Sequence, residues 1–375
     1  MTGSRDGRSV RALLAAVATS CLLVLAGCGG DDEEGGGEQA GGGAQEQAAG
    51  TTDVASLLKG KELTFVSFGG AYQEAQDKAM LQTAAQKYGT KFKQDGPTDY
   101  AKIKTQVASQ QVSWDVVDSD PFFAIQQCGK LVEKIDTNIV DTSKMPKELV
   151  SDCAVPSMTY SYVLAYNKDK YPTAPEGWKD FFDTQKFPGK RALWNYSQGG
   201  GYEAALLADG VAADQLYPID YDRAFKKLDT IKKDLVFWES GAQSQQMAES
   251  GEVDMMLIWS GRLFAATENG SKFEPQWNEN MAVYDVFMVP KGVKDKDASM
   301  AFIAHATSPE PQATLTENIP YAPIHADAKP KVSGKLESYL PTQPDIKEKS
   351  VLVDQKWWAD NYDDATQRWT AWQAG

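Results

Sequence analysis

Blocks of apolar and polar residues succeed one another along the chain in a pattern that predicts alternating short strands and helices. Residues 63–68 (LTFVSF) predict a strand that Gly69-Gly70 breaks. Residues 71–88 then carry helical periodicity, closed by Gly89 just after the last turn. Residues 100–110 predict a second helix, and 114–118 (WDVVD) a buried strand that stops at Ser119-Asp120-Pro121, with helix signals resuming at Phe122. Residues 159–167 predict a long aromatic strand, and 191–194 a shorter one. A helix starts near Tyr202 and closes at Gly210; further helices are predicted over 220–234 and 243–250. Residues 255–258 and 286–289 predict two buried strands, with a helix-like segment following Trp259-Ser260-Gly261. A helix over 296–307 and another starting at Ser308-Pro309 complete the regular part. Such alternation predicts an α/β sheet with short crossovers, whose ligands sit at the carboxyl ends of strands. Those ends fall here at Gly69–Tyr72 and at Ser119-Asp120.

Both termini depart from this pattern. Arg5, Arg8 and Arg11 precede an apolar run over 12–25 that is too short for a permanent membrane span, so residues 1–27 predict an export signal. It ends in Leu25-Ala26-Gly27-Cys28, which resembles the lipobox of bacterial lipoproteins. That resemblance implies cleavage before Cys28, acylation of Cys28, and anchoring on the outer face of the cytoplasmic membrane. Acyl chains contribute about 0.8 kcal/mol per buried CH₂, so several make a durable anchor. Residues 28–55 then predict a flexible acidic tether of Gly, Gln, Ala and carboxylates with nothing to bury. At the other end, Trp357, Trp358, Tyr362, Trp369 and Trp372 recur at largely helical spacing and predict packing of a terminal helix.

Cysteine usage agrees with export. With Cys21 in the signal and Cys28 taking lipid, Cys128 and Cys153 remain; an oxidising compartment favours a disulfide between them, two separate buried thiols being the alternative. A metal site is not expected, because His305 and His325 lie far from these cysteines and lack ligand spacing. The formal net charge of −14 in 375 residues argues against nucleic-acid partners and mildly favours cationic ligands. The Gly69-Gly70 turn lacks the third glycine of a dinucleotide fingerprint and the lysine of a P-loop, which excludes nucleotide binding there.

Two residues carry the candidate chemistry. Asp285 lies inside an apolar strand, where an unpaired carboxylate costs several kcal/mol, so it requires a partner. That partner is either a protein cation, with Arg262 the nearest candidate, or a ligand ammonium in a cleft. Trp259, at the end of its strand, offers an aromatic face to a cation, worth about 0.5–2 kcal/mol, or else belongs to the core. Glu203 at a helix start either meets ligand or favours the helix dipole. Asp120 before Pro121 is either a contact or a turn residue.

Taken in order, the strings LTFVSFGGAYQEAQ, WDVVDSDP, VPSMTYSYVLAYNKDKYP, PEGWKDFFDTQKFPGK, SGEVDMMLIWSGRLFAA, VYDVFMVPKGVKDKDASMAFIAHATSPEPQA and IPYAPIHADA span nearly all of residues 60–330. Together with the lipobox they resemble the solute-binding proteins of ABC importers and, within them, the spermidine/putrescine-binding family. The resemblance implies a periplasmic-binding-protein type II-like fold: two α/β lobes joined by crossing hinge strands, near 160–166 and 282–289, with a ligand cleft between them. Residues 56–163 with 286–375 form the first lobe and 164–285 the second. It also implies a monomeric binding protein rather than an enzyme, without cofactor, that takes a small cationic solute such as putrescine or spermidine and hands it to a membrane permease. By motif position Trp259 matches a stacking residue, Asp285 an amine-binding acid and Tyr321 an aromatic contact, while Tyr72 and Ser119 match contacts from the first lobe. The chain departs from the family at Val283, where an aromatic is usual, and at Trp194-Asn195-Tyr196, where no acid stands and Glu203 is the nearest. Other solutes on the same fold, namely quaternary amines, opine-like compounds, sugars or ferric ion, are the alternatives. An exported hydrolase is a weaker one, since no Gly-x-Ser-x-Gly elbow is present.

Overall fold

The computed structural model describes residues 53–375. The signal, the lipobox Cys28 and almost all of the acidic tether lie outside the described residues. Among the described residues nine strands form one sheet: β1 (Glu62–Val66), β2 (Lys91–Asp95), β3 (Val116–Ser119), β4 (Val155–Asn167), β5 (Arg191–Trp194), β6 (Leu235–Trp238), β7 (Met255–Trp259), β8 (Phe273–Met288) and β9 (Val351–Leu352). Their order is β2-β1-β3-β8-β4-β7-β5-β6, with β9 paired to β8.

The pairings separate two parallel groups. β1 pairs in parallel with β2 and β3, and β5 in parallel with β6 and β7. Between them run β4 and β8, antiparallel to one another from Val155↔Phe287 to Asn167↔Phe273. β8 also pairs with β3 through Val117↔Met288, and β4 with β7 through Tyr162↔Trp259. These two long strands are therefore the crossings between two α/β groups. β8 runs 16 residues, far beyond the buried stretch 286–289 that its apolar pattern predicts. Its first part, Phe273–Glu279, is mostly half-buried and polar, and so gives no strong strand signal. β2 (KFKQD) gives an equally weak signal, being an edge strand whose charged side chains meet water.

The predicted helix over 71–88 is present as Gly70–Gln76 and Gln82–Tyr88 around a π-turn at Asp77–Leu81, and Gly89 ends it in the left-handed conformation at φ 70°. The predicted helix over 220–234 ends at Asp229, and a single 3₁₀ turn follows. Cys128 and Cys153 are joined by a disulfide with Cα atoms 5.4 Å apart. The terminal helix Gln355–Ala374 buries Trp358 and Trp369 as its aromatic spacing predicts. It packs on both groups: Tyr362 stacks on Phe122 at 4.3 Å, while Trp369 meets Tyr202 at 5.1 Å and Trp372 meets Phe225 at 5.6 Å. No helix among the described residues is long and apolar enough to cross a membrane.

Candidate functional site

The carboxyl ends of β1, β3 and β7 deliver loops to the same region beside β4 and β8. Beyond β1 come Phe68 and Gly69, and the helix Gly70–Gln76 carries Tyr72. β3 supplies Asp118 and leads into Asp120, the residue before the helix Pro121–Gln126. β7 ends in Trp259, and the helix Ser260–Glu268 brings Arg262. Tyr321 is held by the turn after helix Pro309–Asn318, where Thr159 and Ala322 exchange backbone hydrogen bonds of 3.0 and 2.9 Å.

Aromatic rings form a connected wall. Trp259 packs edge-on against Phe68 at 5.8 Å, Trp194 at 5.1 Å and Tyr160 at 6.4 Å. Tyr321 meets Tyr72 at 5.2 Å and Tyr160 at 5.1 Å. Gly261 is required behind it, since a Cβ there would lie 2.5 Å from the Tyr321 ring. A cavity of about 380 Å³ opens beside this wall, bounded among others by Tyr100, Asp120, Trp194, Tyr196, Glu239 and Trp259.

Three carboxyl groups occupy the interior. Asp118 accepts from the Tyr72 hydroxyl at 2.5 Å, from Ser157 Oγ at 3.3 Å and from the Gln76 amide. Burial pushes its carboxyl up to about 7 against these hydrogen bonds. Asp120 accepts from the Tyr100 hydroxyl, and burial raises it to about 6. Asp285 is 2 % exposed, and its Oδ1 has no hydrogen-bond partner among the described residues. Burial first, then Asp118 and Asp120, hold its carboxyl well above the usual carboxylate range, with the Tyr160 hydroxyl opposing.

Arg262 does not pair with Asp285. Its Nη2 donates to the carbonyl oxygens of Gly69 at 2.5 Å and Phe68 at 3.3 Å, and its Nε and Nη1 have no partner among the described residues. Two helix starts close on this guanidinium: a Cβ on Gly241 would lie 2.5 Å from Nε, and one on Gly70 2.5 Å from Nη1. Tyr321, Glu74, Tyr72 and Tyr160 all lie in the field of Arg262, and the three phenols among them also lie in that of Asp285.

Tyr72, Asp120, Trp259, Asp285 and Tyr321 thus meet in one region. Ser119 is buried beside them with its hydroxyl donating to the Asp120 carbonyl at 3.0 Å. Glu203 faces elsewhere: its Oε1 accepts from Tyr217 at 2.7 Å and from the Trp358 indole at 3.0 Å, so this carboxyl is bound to the terminal helix. Asp118, Tyr160, Tyr162 and Trp194 join the site without being singled out by the sequence pattern. A signal for Asp118 does exist, because a carboxylate within the buried stretch 114–118 raises the same question as Asp285. No group of three metal-ligating side chains suited to an ion occurs among the described residues.

A family profile described as bacterial extracellular solute-binding protein matches residues 58–342. The γ-aminobutyric acid-binding protein of Pseudomonas aeruginosa is 34% identical over 332 residues, covering 85% of this chain and 93% of that protein. The solved Atu4243–GABA receptor superposes with a TM-score of 0.76 at 44% identity, covering 84% of this chain and 98% of that one. The spermidine/putrescine-binding periplasmic protein of Escherichia coli is more distant, at 20% identity over 66% of this chain and 73% of its own length.

Proposed function

The chain belongs to the bacterial extracellular solute-binding proteins, the extracytoplasmic binding components of ABC importers, and from that premise we propose that its cleft captures a short ω-amino acid of the γ-aminobutyric acid kind. Asp285 receives the ammonium, with Asp118 and Asp120 behind it and the faces of Trp259, Tyr160 and Tyr321 around the chain. Arg262 receives the carboxylate through its Nε or Nη1, which have no hydrogen-bond partner among the described residues, in a charge-assisted hydrogen bond. The lobes proposed for 56–163 with 286–375 and for 164–285 close on the solute by bending at β4 and β8. Tethering to the membrane through Cys28 places the closed form beside its permease.

The unpaired N–H groups of Arg262 carry this reading. A buried guanidinium with two idle donors, against the start of the ten-residue helix Gly241–Ser250, concentrates positive charge that an anion relieves. A polyamine, the ligand the sequence resemblance implies, would bring a second ammonium towards that cation. The two GABA-binding relatives support the same choice.

Calorimetry of the protein with γ-aminobutyric acid, putrescine, spermidine and glucose tests it. The expected result is a micromolar constant for γ-aminobutyric acid, near −8 kcal/mol, with putrescine about tenfold weaker or more. Tighter binding of putrescine than of γ-aminobutyric acid, or no heat with the amino acid, overturns the reading.

A further inference from the structure

The site holds more acid than one ammonium can neutralise. Asp118, Asp120 and Asp285 are each buried, and none takes part in an ion pair among the described residues. Their donors are neutral: hydroxyls of Tyr72, Ser157, Tyr100 and Tyr160 and the amides of Gln76 and Gln198. Arg262, in whose field Tyr321 lies together with those of Asp285 and Asp118, spends Nη2 on the Phe68 and Gly69 carbonyls. The other titratable groups around the three acids are phenols: Tyr72 from the first helix, Tyr160 and Tyr162 from β4, Tyr321 from its turn, Tyr100 from helix Tyr100–Ala108 and Tyr362 from the terminal helix. Glu203, whose field reaches Tyr162, adds another acid behind that wall.

Three ionised carboxylates in one water-poor volume cost several kcal/mol each, and neutral donors recover only part of it. Protonation is the remaining way to remove the charge. We propose that solute capture here is an exchange: the ammonium of the ligand takes the place of a proton on the Asp118–Asp120–Asp285 cluster, which is released to solvent. The inference rests on the amine-binding reading of the cleft. The balance is simple. A carboxylic acid loses its proton to the buffer, the ligand stays an ammonium, and a carboxylate–ammonium pair replaces the neutral acid. The carboxyl of Asp118, pushed up to about 7 by burial, and that of Asp285, held well above the usual carboxylate range by burial and by Asp118 and Asp120, agree with this.

The experiment is calorimetric titration with γ-aminobutyric acid in phosphate and in Tris at matched pH, because the two buffers take up protons with different heats. The apparent enthalpy is expected to differ between buffers by an amount equal to nearly one proton released per solute at pH 6, declining as pH rises through about 7, where Asp118 ionises beforehand. In parallel, the infrared carbonyl band of a protonated carboxylic acid is expected in the ligand-free protein and lost on binding. In Asp118→Asn the number of protons released falls. Binding with equal heats in both buffers and no loss of the infrared band overturns the exchange while leaving the amino-acid reading intact. Absence of binding fails that reading instead; the infrared band in the ligand-free protein then still decides whether the cluster holds a proton, and no band overturns the inference.

Discussion

The Tyr72 hydroxyl donates to Asp118 Oδ2 at 2.5 Å, with both side chains buried. The bond joins the helix after β1 to the end of β3 and sets the phenol against Tyr321. Tyr72→Phe removes the donor and keeps the ring. Leaving a buried acceptor short of its partner costs about 1–3 kcal/mol, so unfolding free energy by urea titration at pH 7.5 is expected to fall in that range. No change would mean that Asp118 is satisfied by Gln76 and Ser157 alone.

Asp285→Asn separates binding from stability. Asp285 Oδ1 has no hydrogen-bond partner among the described residues, so the neutral amide is expected to leave Tm unchanged or raised, because folding then no longer has to protonate or desolvate a carboxylate. Affinity for γ-aminobutyric acid is expected to drop by about 2–4 kcal/mol, thirty- to a thousandfold. Unchanged affinity would remove Asp285 from the site.

Arg262→Lys tests the guanidinium. A lysine keeps the charge but cannot hold the Gly69 carbonyl through one nitrogen while offering others to a solute. Affinity for γ-aminobutyric acid is expected to fall at least tenfold, about 1.4 kcal/mol, while putrescine, which has no carboxylate, loses little. Equal losses for both ligands would indicate a packing defect instead.

The pH dependence of stability follows from Asp118. Its folded-state carboxyl stands at about 7 against an ordinary 3.8, so the folded protein holds a proton that the unfolded chain has released. The group therefore destabilises progressively as pH rises from about 4 to about 7. Asp118→Asn is expected to gain stability over the parent at pH 8, on the order of 1–3 kcal/mol, and to gain none at pH 4. Paired denaturant curves at the two values measure this, and a gain of equal size at both would contradict the assignment.

Gly261→Ala places a methyl 2.5 Å from the Tyr321 ring. The ring must shift within the wall it shares with Tyr72 and Tyr160, at a cost of about 1–3 kcal/mol. A lower Tm together with weaker solute binding is expected. Loss of Tm alone would place the contact outside the binding wall.

Much of the fold was legible because its signals are local. Buried strands such as Arg191–Trp194 and Met255–Trp259 are near-continuous apolar runs, and Gly89 marks a helix end through its own backbone freedom. The aromatic spacing of the terminal helix announces burial at Trp358 and Trp369. Polar strands were harder: KFKQD in β2 and the first part of β8 are read as strands only once their hydrogen-bonding neighbours are in place.

The candidate site divides along the same line. That Asp285 sits in an apolar strand and requires a partner, and that Trp259 stands where a strand ends, are properties of the sequence alone, because desolvation acts on a residue through its immediate neighbours. Which partner it has is not. Arg262, near enough in sequence to be its counter-ion, turns instead to carbonyls nearly two hundred residues away, at Gly69 and Phe68. Glu203 goes to the terminal helix, and Asp118 and Asp120 come in from β3. Such pairings depend on which strand ends the sheet order β3-β8-β4-β7 places side by side, and that order is a long-range choice made by the whole core.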